Sequence, residues 1–420
     1  MKVFYKKYVS KFIVFSSIFL SMFSPIYAIN YNNYINTTNI DSSNSVNTNY
    51  SNSSNLNINS RNYIVYDRVS NSTIIGKDEN KRVKMASTTK IMTAILIIEN
   101  CNLSEIVEIS KKSAGTGGSS LGLKTGNKIT VNDLLYGLML CSGNDAAVAL
   151  AEFHSGSIKE FSNAMNNKAK ELNLYNTNFE SPHGLDSDNH YTTAYELAIL
   201  SDYALENKTF STIVQTKSYT VNINGYSKKI SNTNELLGNL NGVYGIKTGF
   251  TNGANRCLVS ACKRENMDII CIVLGADTKK FRTKDSIKLI EYTFKNFKYV
   301  NTSEILTSAL NNWIDTNPNY FNIKKGINSN LNIKLDKITQ NVLPINTIDM
   351  ENLKCNIEIN NFLISPIYKD EIIGKATLYN NTTELYSVNI LCDSSVFRKN
   401  TKYYLFDFLK NYFNYLNTIL

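Results

Sequence analysis

Histidine is nearly missing from this chain: His154, His183 and His190 are the only three in 420 residues. So few leave little for a zinc centre or a serine–histidine–aspartate triad. The seven cysteines are an odd number, which excludes a complete internal disulfide framework. Cys257, Cys262 and Cys271 fall in apolar, strand-like runs. Cys257 and Cys262 are five apart, so they face opposite sides of one strand. That argues against a shared metal site and for buried free thiols. Proline is scarce at five residues, and the abundant asparagine beside it carries no functional weight. Strong charge is lacking too. The formal net charge is +9, but Lys2, Lys6, Lys7 and Lys11 supply four of it and residues 1–28 hold no acid, so a chain starting at Ile29 carries +5. No nucleic-acid footprint follows from that, and weak attraction to anionic wall polymers or lipid fits equally well.

What is present supports a folded, multi-part chain. With 43% hydrophobic and 19% charged residues, 420 residues can bury a core and suit two or three domains. The four N-terminal lysines precede an apolar run, Phe12 to Phe23, and then Pro25-Ile26-Tyr27-Ala28. This is the layout of a secretory signal over residues 1–28, and the run is short for a membrane span. Ala28 suits the residue before a cleavage, whereas Ile26 does not suit its place, so cleavage and retention as an anchor both stay open. Either way the rest of the chain works outside the cytoplasm. Residues 29–60 are mostly Asn, Ser, Thr and Tyr without periodicity, which predicts a disordered tether.

From Asn62 the texture changes. Asn62–Asp67 and Thr73–Gly76 read as a hairpin. Ala86–Asn100 has a helical face through Ile91, Ile95 and Ile98. Val131–Leu140 and Asp145–Phe153 read as helices broken by Cys141-Ser142-Gly143-Asn144, and Thr193–Asn207 as another. Strand-like runs follow at Tyr219–Asn224, Val243–Thr248, Arg256–Cys262 and Ile269–Gly275, and then a helix, Lys284–Phe297. This order predicts an α+β domain over 61–298, with helices packed on an antiparallel sheet. Beyond Thr302 the pattern turns strand-like, with Leu331, Ile333 and Leu335 in alternation, and predicts a small all-β domain over 303–398. Residues 402–420 have helical period. Tyr404, Leu405, Phe408, Leu409, Tyr412, Phe413, Leu416 and Ile419 gather on one broad face.

Three short motifs carry chemistry. Ser87-Thr88-Thr89-Lys90 opens a helix, where positions i and i+3 share a face. A serine needs an adjacent base to become a nucleophile, and a lysine serves only when neutral. Ser260-Ala261-Cys262-Lys263 matches as well, but in a strand its ends point to opposite faces. Ser142-Gly143-Asn144, between two helices, offers a second hydroxyl and an amide. Ser187-Asp188-Asn189 repeats that pattern. Lys247-Thr248-Gly249 ends a strand, where a lysine and a hydroxyl can hold a carboxylate and the glycine lets a ligand backbone come close. Lys124-Thr125-Gly126 duplicates it in a polar turn. Singly, each triplet reads as a cap, turn or strand end. In this order, on helix, loop and strand, they form the motif set of class A β-lactamases and penicillin-binding proteins.

The chain resembles the low-molecular-mass penicillin-binding proteins, the serine-type D-alanyl-D-alanine carboxypeptidases. The likeness extends to Ala86–Thr93, Leu134–Ala147, Pro182-His-Gly-Leu185 and His190-Tyr-Thr-Thr-Ala194, and covers roughly Asn62 to Phe297. Ser365-Pro366-Ile367 with Gly374 resembles the family's C-terminal β domain less specifically. The resemblance implies a β-lactamase/transpeptidase-like fold that removes the terminal D-Ala from peptidoglycan stem pentapeptides and binds β-lactams covalently, with no metal or cofactor. Carried over, Ser87 is the acylated nucleophile, Lys90 its base and Ser142 a proton relay. Asn144, Lys247 and Thr248 bind substrate. The N–H groups of Ser87 and Phe250 form an oxyanion hole, and Arg282 is a further candidate for the substrate carboxylate. The last helix, 402–420, either packs on the β domain or lies on a membrane surface, as family members often end. A β-lactamase needs a deacylating Glu, and Ala169 stands where the nearest such run would place it. A D,D-endopeptidase would use the same residues, and a wall-binding protein without activity would lack one of them.

Overall fold

The computed structural model describes residues 56–419, so the expected signal at 1–28 and most of the expected tether lie outside the described residues. The tether's last residues are not loose. Leu56 and Ile58 pack into a core, and the Ser60 N–H and hydroxyl both donate to Asp285 Oδ2 at 2.7 Å.

The sheet that organises the first part has five antiparallel strands. They are β1 (Asn62–Asp67), β2 (Ser72–Lys77), β3 (Val243–Thr251), β4 (Asn255–Arg264) and β5 (Met267–Ala276), in the spatial order β2-β1-β5-β4-β3. β5 is central and buried along its whole length, which is why it reads as an unbroken apolar run. Alternation on the strands builds two cores. Ile64 and Tyr66 face one layer, Tyr63 and Val65 the other. Cys257 and Cys262 likewise fall in different cores, as their spacing requires, and all seven cysteines are free.

The first core is covered by α1 (Lys90–Asn100), α2 (Val131–Met139), α3 (Asn144–Ser155), α4 (Ile158–Glu171), α5 (Ala194–Glu206) and α6 (Lys208–Gln215). The other face is covered by α7 (Lys279–Asn296) through Leu289 and Ile290. Caps set several of these boundaries. Thr130, Ser157, Thr193 and Thr278 each accept a backbone N–H at the start of a helix. After the Thr278 cap, α7 starts at Lys279, five residues before the Lys284 expected from apolar period, because its first turn is lysine-rich and carries no such signal.

β6 (Phe297–Asn301) leads into the C-terminal part. There a four-stranded antiparallel sheet has the order β7-β11-β10-β9, made of β7 (Ile333–Leu335), β9 (Leu353–Ile359), β10 (Ile372–Asn380) and β11 (Thr383–Cys392). β8 (Val342–Asn346) pairs with β6. The expectation of an all-β region fails at its start. Thr302–Thr316 is a helix, α8, whose Leu306 and Leu310 fill the core under this sheet. Asn301 caps it by accepting from Glu304 N–H, a start signal that the later alternation outweighed. The final helix, α9 (Thr401–Ile419), leaves nearly all its apolar side chains exposed, so it is not packed on the β region.

Buried polar contacts tie the two parts together. Asp67, at the end of β1, is fully buried and accepts from the Ser70 N–H, the Ser70 hydroxyl and the Tyr299 hydroxyl of β6, the last at 2.5 Å. Gln340 also donates to the Ser70 carbonyl. Tyr299→Phe should remove one donor from a buried carboxylate and lower the unfolding free energy by about 1–3 kcal/mol. Urea denaturation checks this, and an unchanged midpoint would mean that the contact contributes nothing.

Candidate active site

Ser87 and Lys90 meet at the mouth of α1, but not on a regular α-helix. Ala86–Thr89 is a 3-10 turn, entered through Ala86 at φ +49°, and the α-helix begins at Lys90. Residues i and i+3 nearly eclipse in a 3-10 turn, which brings the two side chains closer to register than α geometry does. Lys90 Nζ donates to Ser87 Oγ at 3.1 Å, to Asn144 Oδ1 at 2.8 Å and to the His183 carbonyl at 2.9 Å. The Lys90 side chain is fully buried, and no carboxylate pairs with it among the described residues. Burial, and then the charge of Lys247, hold its pKa well below the ordinary lysine range.

Lys247 and Thr248 come from β3, an edge strand of the sheet. Lys247 is also buried, and its Nζ donates to the Thr248 carbonyl at 3.1 Å. Burial draws its pKa down to about 7, with Arg282 adding to the fall and Cys141 opposing it. The Thr248 and Thr233 hydroxyls are 2.7 Å apart. Gly249 serves a packing purpose that its sequence position did not suggest. A Cβ there would stand 3.2 Å from both Ala86 Cβ and Ser87 N, so the missing side chain lets β3 lie against the Ser87 turn itself. Arg282 is buried and pairs with Glu235 at 2.6 Å; its contact with the Lys247 neighbourhood is electrostatic.

Asn144 is held from three sides. Its Oδ1 takes Lys90, its Nδ2 donates to the Gly117 carbonyl at 2.7 Å, and its N–H donates to the Ser119 carbonyl at 2.7 Å. The loop that supplies those carbonyls is clamped by the next residue. Asp145, buried in the first turn of α3, accepts from Ser120 Oγ (2.6 Å), Leu121 N (2.8 Å), Gly122 N (2.8 Å) and Leu123 N (3.0 Å). Ser142 lies buried in the turn before α3 with φ +62°.

Two parts of the site were quoted from the sequence without a role. His190 Nδ1 accepts from Glu180 N at 3.0 Å, so its proton sits on Nε2 and is donated to Thr89 Oγ1 at 2.8 Å. That hydroxyl in turn donates to the Ala86 carbonyl at 2.8 Å and pins the 3-10 turn. Burial keeps this imidazole neutral, with a pKa near 4. Gly184, at φ +83°, brings the 182–185 loop onto the same turn, and a Cβ there would fall 1.9 Å from the Ala86 carbonyl oxygen. Neither role has a periodicity or spacing that exposes it.

The duplicate motifs lie elsewhere. Ser260 is buried in β4 while Lys263 is exposed, Lys124 and Thr125 are exposed in a turn, and Ser187 and Asp188 lie in an outer loop. Glu171, near the run tested for a deacylating carboxylate, pairs with Lys168 and is largely exposed.

Comparison with known proteins agrees with this architecture. The family model described as D-alanyl-D-alanine carboxypeptidase matches residues 47–278. The D-alanyl-D-alanine carboxypeptidase DacF of Bacillus subtilis (strain 168) is 32% identical over 336 residues, which is 76% of this chain and 81% of that one. The crystal structure of penicillin binding protein 5 from Haemophilus influenzae superposes with a TM-score of 0.65 at 26% identity, over 81% of this chain and 98% of that one. The Streptomyces K15 DD-transpeptidase structure is 35% identical with a TM-score of 0.55, over 57% of this chain and 98% of that one.

A buried lysine whose pKa is lowered on folding costs stability. Between about pH 7 and its ordinary value of 10.5, the unfolded chain binds the proton that folded Lys247 has released, so Lys247's contribution improves as pH rises through that window. Its full cost is present below pH 7. Lys247→Met should therefore raise the unfolding free energy by roughly 1–4 kcal/mol at neutral pH. The gain should be largest below pH 7 and shrink towards pH 10. Thermal melts across pH check it, and a less stable variant at pH 6 would contradict it.

Proposed function

The chain belongs to the D-alanyl-D-alanine carboxypeptidase family, and we propose that Ser87 is its acylated nucleophile and Lys90 the base that activates it. The protein is a serine-type D-alanyl-D-alanine carboxypeptidase, a penicillin-binding hydrolase of peptidoglycan stem peptides. The observation that carries the residue assignment is the fully buried Lys90 amine, which forms no ion pair among the described residues and lies 3.1 Å from Ser87 Oγ.

In the proposed reaction Lys247 and Thr248 hold the terminal carboxylate of the stem peptide, and Asn144 orients the peptide. Neutral Lys90 takes the proton of Ser87 as Oγ attacks the carbonyl carbon of the penultimate D-Ala. The N–H groups of Ser87 and Phe250 receive the developing oxyanion. The carbon–nitrogen bond then breaks, the proton passes through Lys90 and Ser142 to the leaving amine, and D-Ala departs. Water, deprotonated in turn by Lys90, hydrolyses the ester and restores Ser87. A β-lactam follows the first half of this route and remains on Ser87. The setting is the outer side of the cytoplasmic membrane, where the substrate polymer lies and where an exported chain would meet it.

Ser87→Ala should abolish D-Ala release from a pentapeptide, read by mass spectrometry, and covalent labelling by a fluorescent penicillin, with the melting temperature little changed. Lys90→Arg should be almost inactive, because a guanidinium does not give up its proton. A penicillin adduct on Ser87→Ala, or most of the acylation rate in Lys90→Arg, would remove the respective residue from its role.

The exposed aromatic and aliphatic side chains of α9 support a helix lying in a membrane surface, since nothing among the described residues covers them. No described helix is long and apolar enough to cross a bilayer. A chain starting at Ile29 should float with liposomes, and the same chain lacking 402–420 should float much less. Equal flotation would sink the anchor.

A further inference from the structure

Next to the root of α9, the C-terminal part exposes a surface that its own fold leaves uncovered. Asn322–Lys324 pairs in parallel with Phe362–Ile364, in the register Asn322 to Phe362 and Lys324 to Ile364. Ile323 and Leu363 of these strands turn inward onto the core. Phe362 and Ile364 turn outward, and Ile364 keeps 60% of its surface exposed. Lys324 Nζ lies 4.7 Å over the Phe362 ring. On the other flank, the Ile327 N–H donates to the Phe397 carbonyl at 2.9 Å, and the Lys399 N–H to the Lys325 carbonyl at 2.8 Å. Ile367 and Val396 bridge, which sets the exposed Tyr368 and Phe397 on the same edge.

Cations are interleaved with these apolar groups. Lys324, Lys325, Lys369 and Arg398 form no ion pair among the described residues. Two of the nearby acids are ion-paired and a third bonds backbone. Asp370 pairs with Lys334, Glu371 accepts the Tyr368 N–H, and Asp407 pairs with Lys399. The last of these matters most for position. Asp407 belongs to α9, and its 2.7 Å bond to Lys399 ties the first turns of that helix back to this edge, from which the chain enters α9 at Thr401.

We propose that this edge, built from 322–327, 362–368 and 396–399, is a second contact with an anionic bilayer surface, used together with α9. The proposal rests on reading α9 as a membrane-surface helix. Aromatic and aliphatic side chains suit the boundary between headgroups and acyl chains, and unneutralised lysine and arginine reach the lipid phosphates above it. A protein partner would demand matching acids, whereas a lipid surface supplies negative charge wherever these cations fall. Each cation near such a surface contributes about 1 kcal/mol, so an edge with four adds an electrostatic component that α9, with Lys402 and Lys410 against Asp407, mostly lacks.

The test uses the chain from Ile29 to Leu420 and two sets of vesicles, phosphatidylcholine alone and phosphatidylcholine with phosphatidylglycerol. Lys324→Glu/Arg398→Glu should reduce partition to the anionic vesicles by about tenfold or more and leave partition to neutral ones nearly unchanged. Ile364→Asp/Phe397→Asp should weaken both. Penicillin labelling and melting temperature confirm that each variant is folded, and all four positions are exposed, so folding should survive. Parental partition by both edge variants, with binding lost in Phe406→Ser/Phe408→Ser/Phe413→Ser, would overturn the edge contact and leave the α9 reading standing. No vesicle binding by the parent would overturn both. Parental flotation with altered self-association in the edge variants would make the edge an interface between protein copies and likewise end the proposal.

Discussion

Two fully buried lysine side chains close enough to repel each other, with no carboxylate paired to either among the described residues, are the constraint around which this structure is arranged. A buried charge without a partner is normally expelled or neutralised, and here the amines are driven towards neutrality. They cannot escape, because each stands on rigid structure. Lys90 is the first residue of a helix whose next seven residues are all buried, and Lys247 lies in a strand of the main sheet. The two apolar cores on either side of that sheet supply the stability against which the cost is set. Lys90 nevertheless keeps three acceptors, Ser87 Oγ, Asn144 Oδ1 and the His183 carbonyl. They fix where its lone pair or its protons point, so the site has geometry as well as a shifted pKa.

Those acceptors are themselves held by parts remote in sequence. Asp145 gathers the N–H groups of Leu121, Gly122 and Leu123, and so presents the Gly117 and Ser119 carbonyls to Asn144. His190 acts from the other side, through Thr89 and the Ala86 carbonyl, on the turn that carries Ser87. Both devices are buried, and both act on backbone, Asp145 directly and His190 through the Thr89 hydroxyl, rather than on the reacting side chains. They belong to the supporting shell that keeps a cleft within a few tenths of an ångström of a working arrangement.

How much of this the sequence reveals depends on the range of the interaction. The Ser87-x-x-Lys90, Ser142-x-Asn144 and Lys247-Thr248-Gly249 triplets are legible because each is local, and apolar period finds most helices and strands around them. Copies such as Ser260-x-x-Lys263 are separable because strand alternation sends their ends apart. The 3-10 turn at Ala86 is not legible, since a positive φ at alanine comes from tertiary contacts of Gly184, Gly249 and His190. The hydrogen bonds of His183 and Asp145 span 93 and roughly twenty-odd residues, and spacing carries no trace of them. α8 was missed for a different reason. Its Asn301-x-x-Glu304 cap is present, but alternation from Leu331 onward dominated a region in which helix and sheet share one core.

The same pair of lysines suggests why the binding and reacting groups of the proposed reaction stand so close. Burial and then the charge of Lys247 depress Lys90, which secures a neutral amine but also a weak base. In the proposed reaction a substrate carboxylate on Lys247 would cancel that field. The Lys90 amine would then gain proton affinity at the moment when Ser87 has a carbonyl to attack, and only for ligands that bring the carboxylate. Recognition of the chain end and activation of the nucleophile would then be one electrostatic event, with the binding interaction expressed in the transition state rather than spent on ground-state affinity. An acid paired with Lys90 in the resting protein would defeat this, by holding the amine protonated whether or not substrate is present.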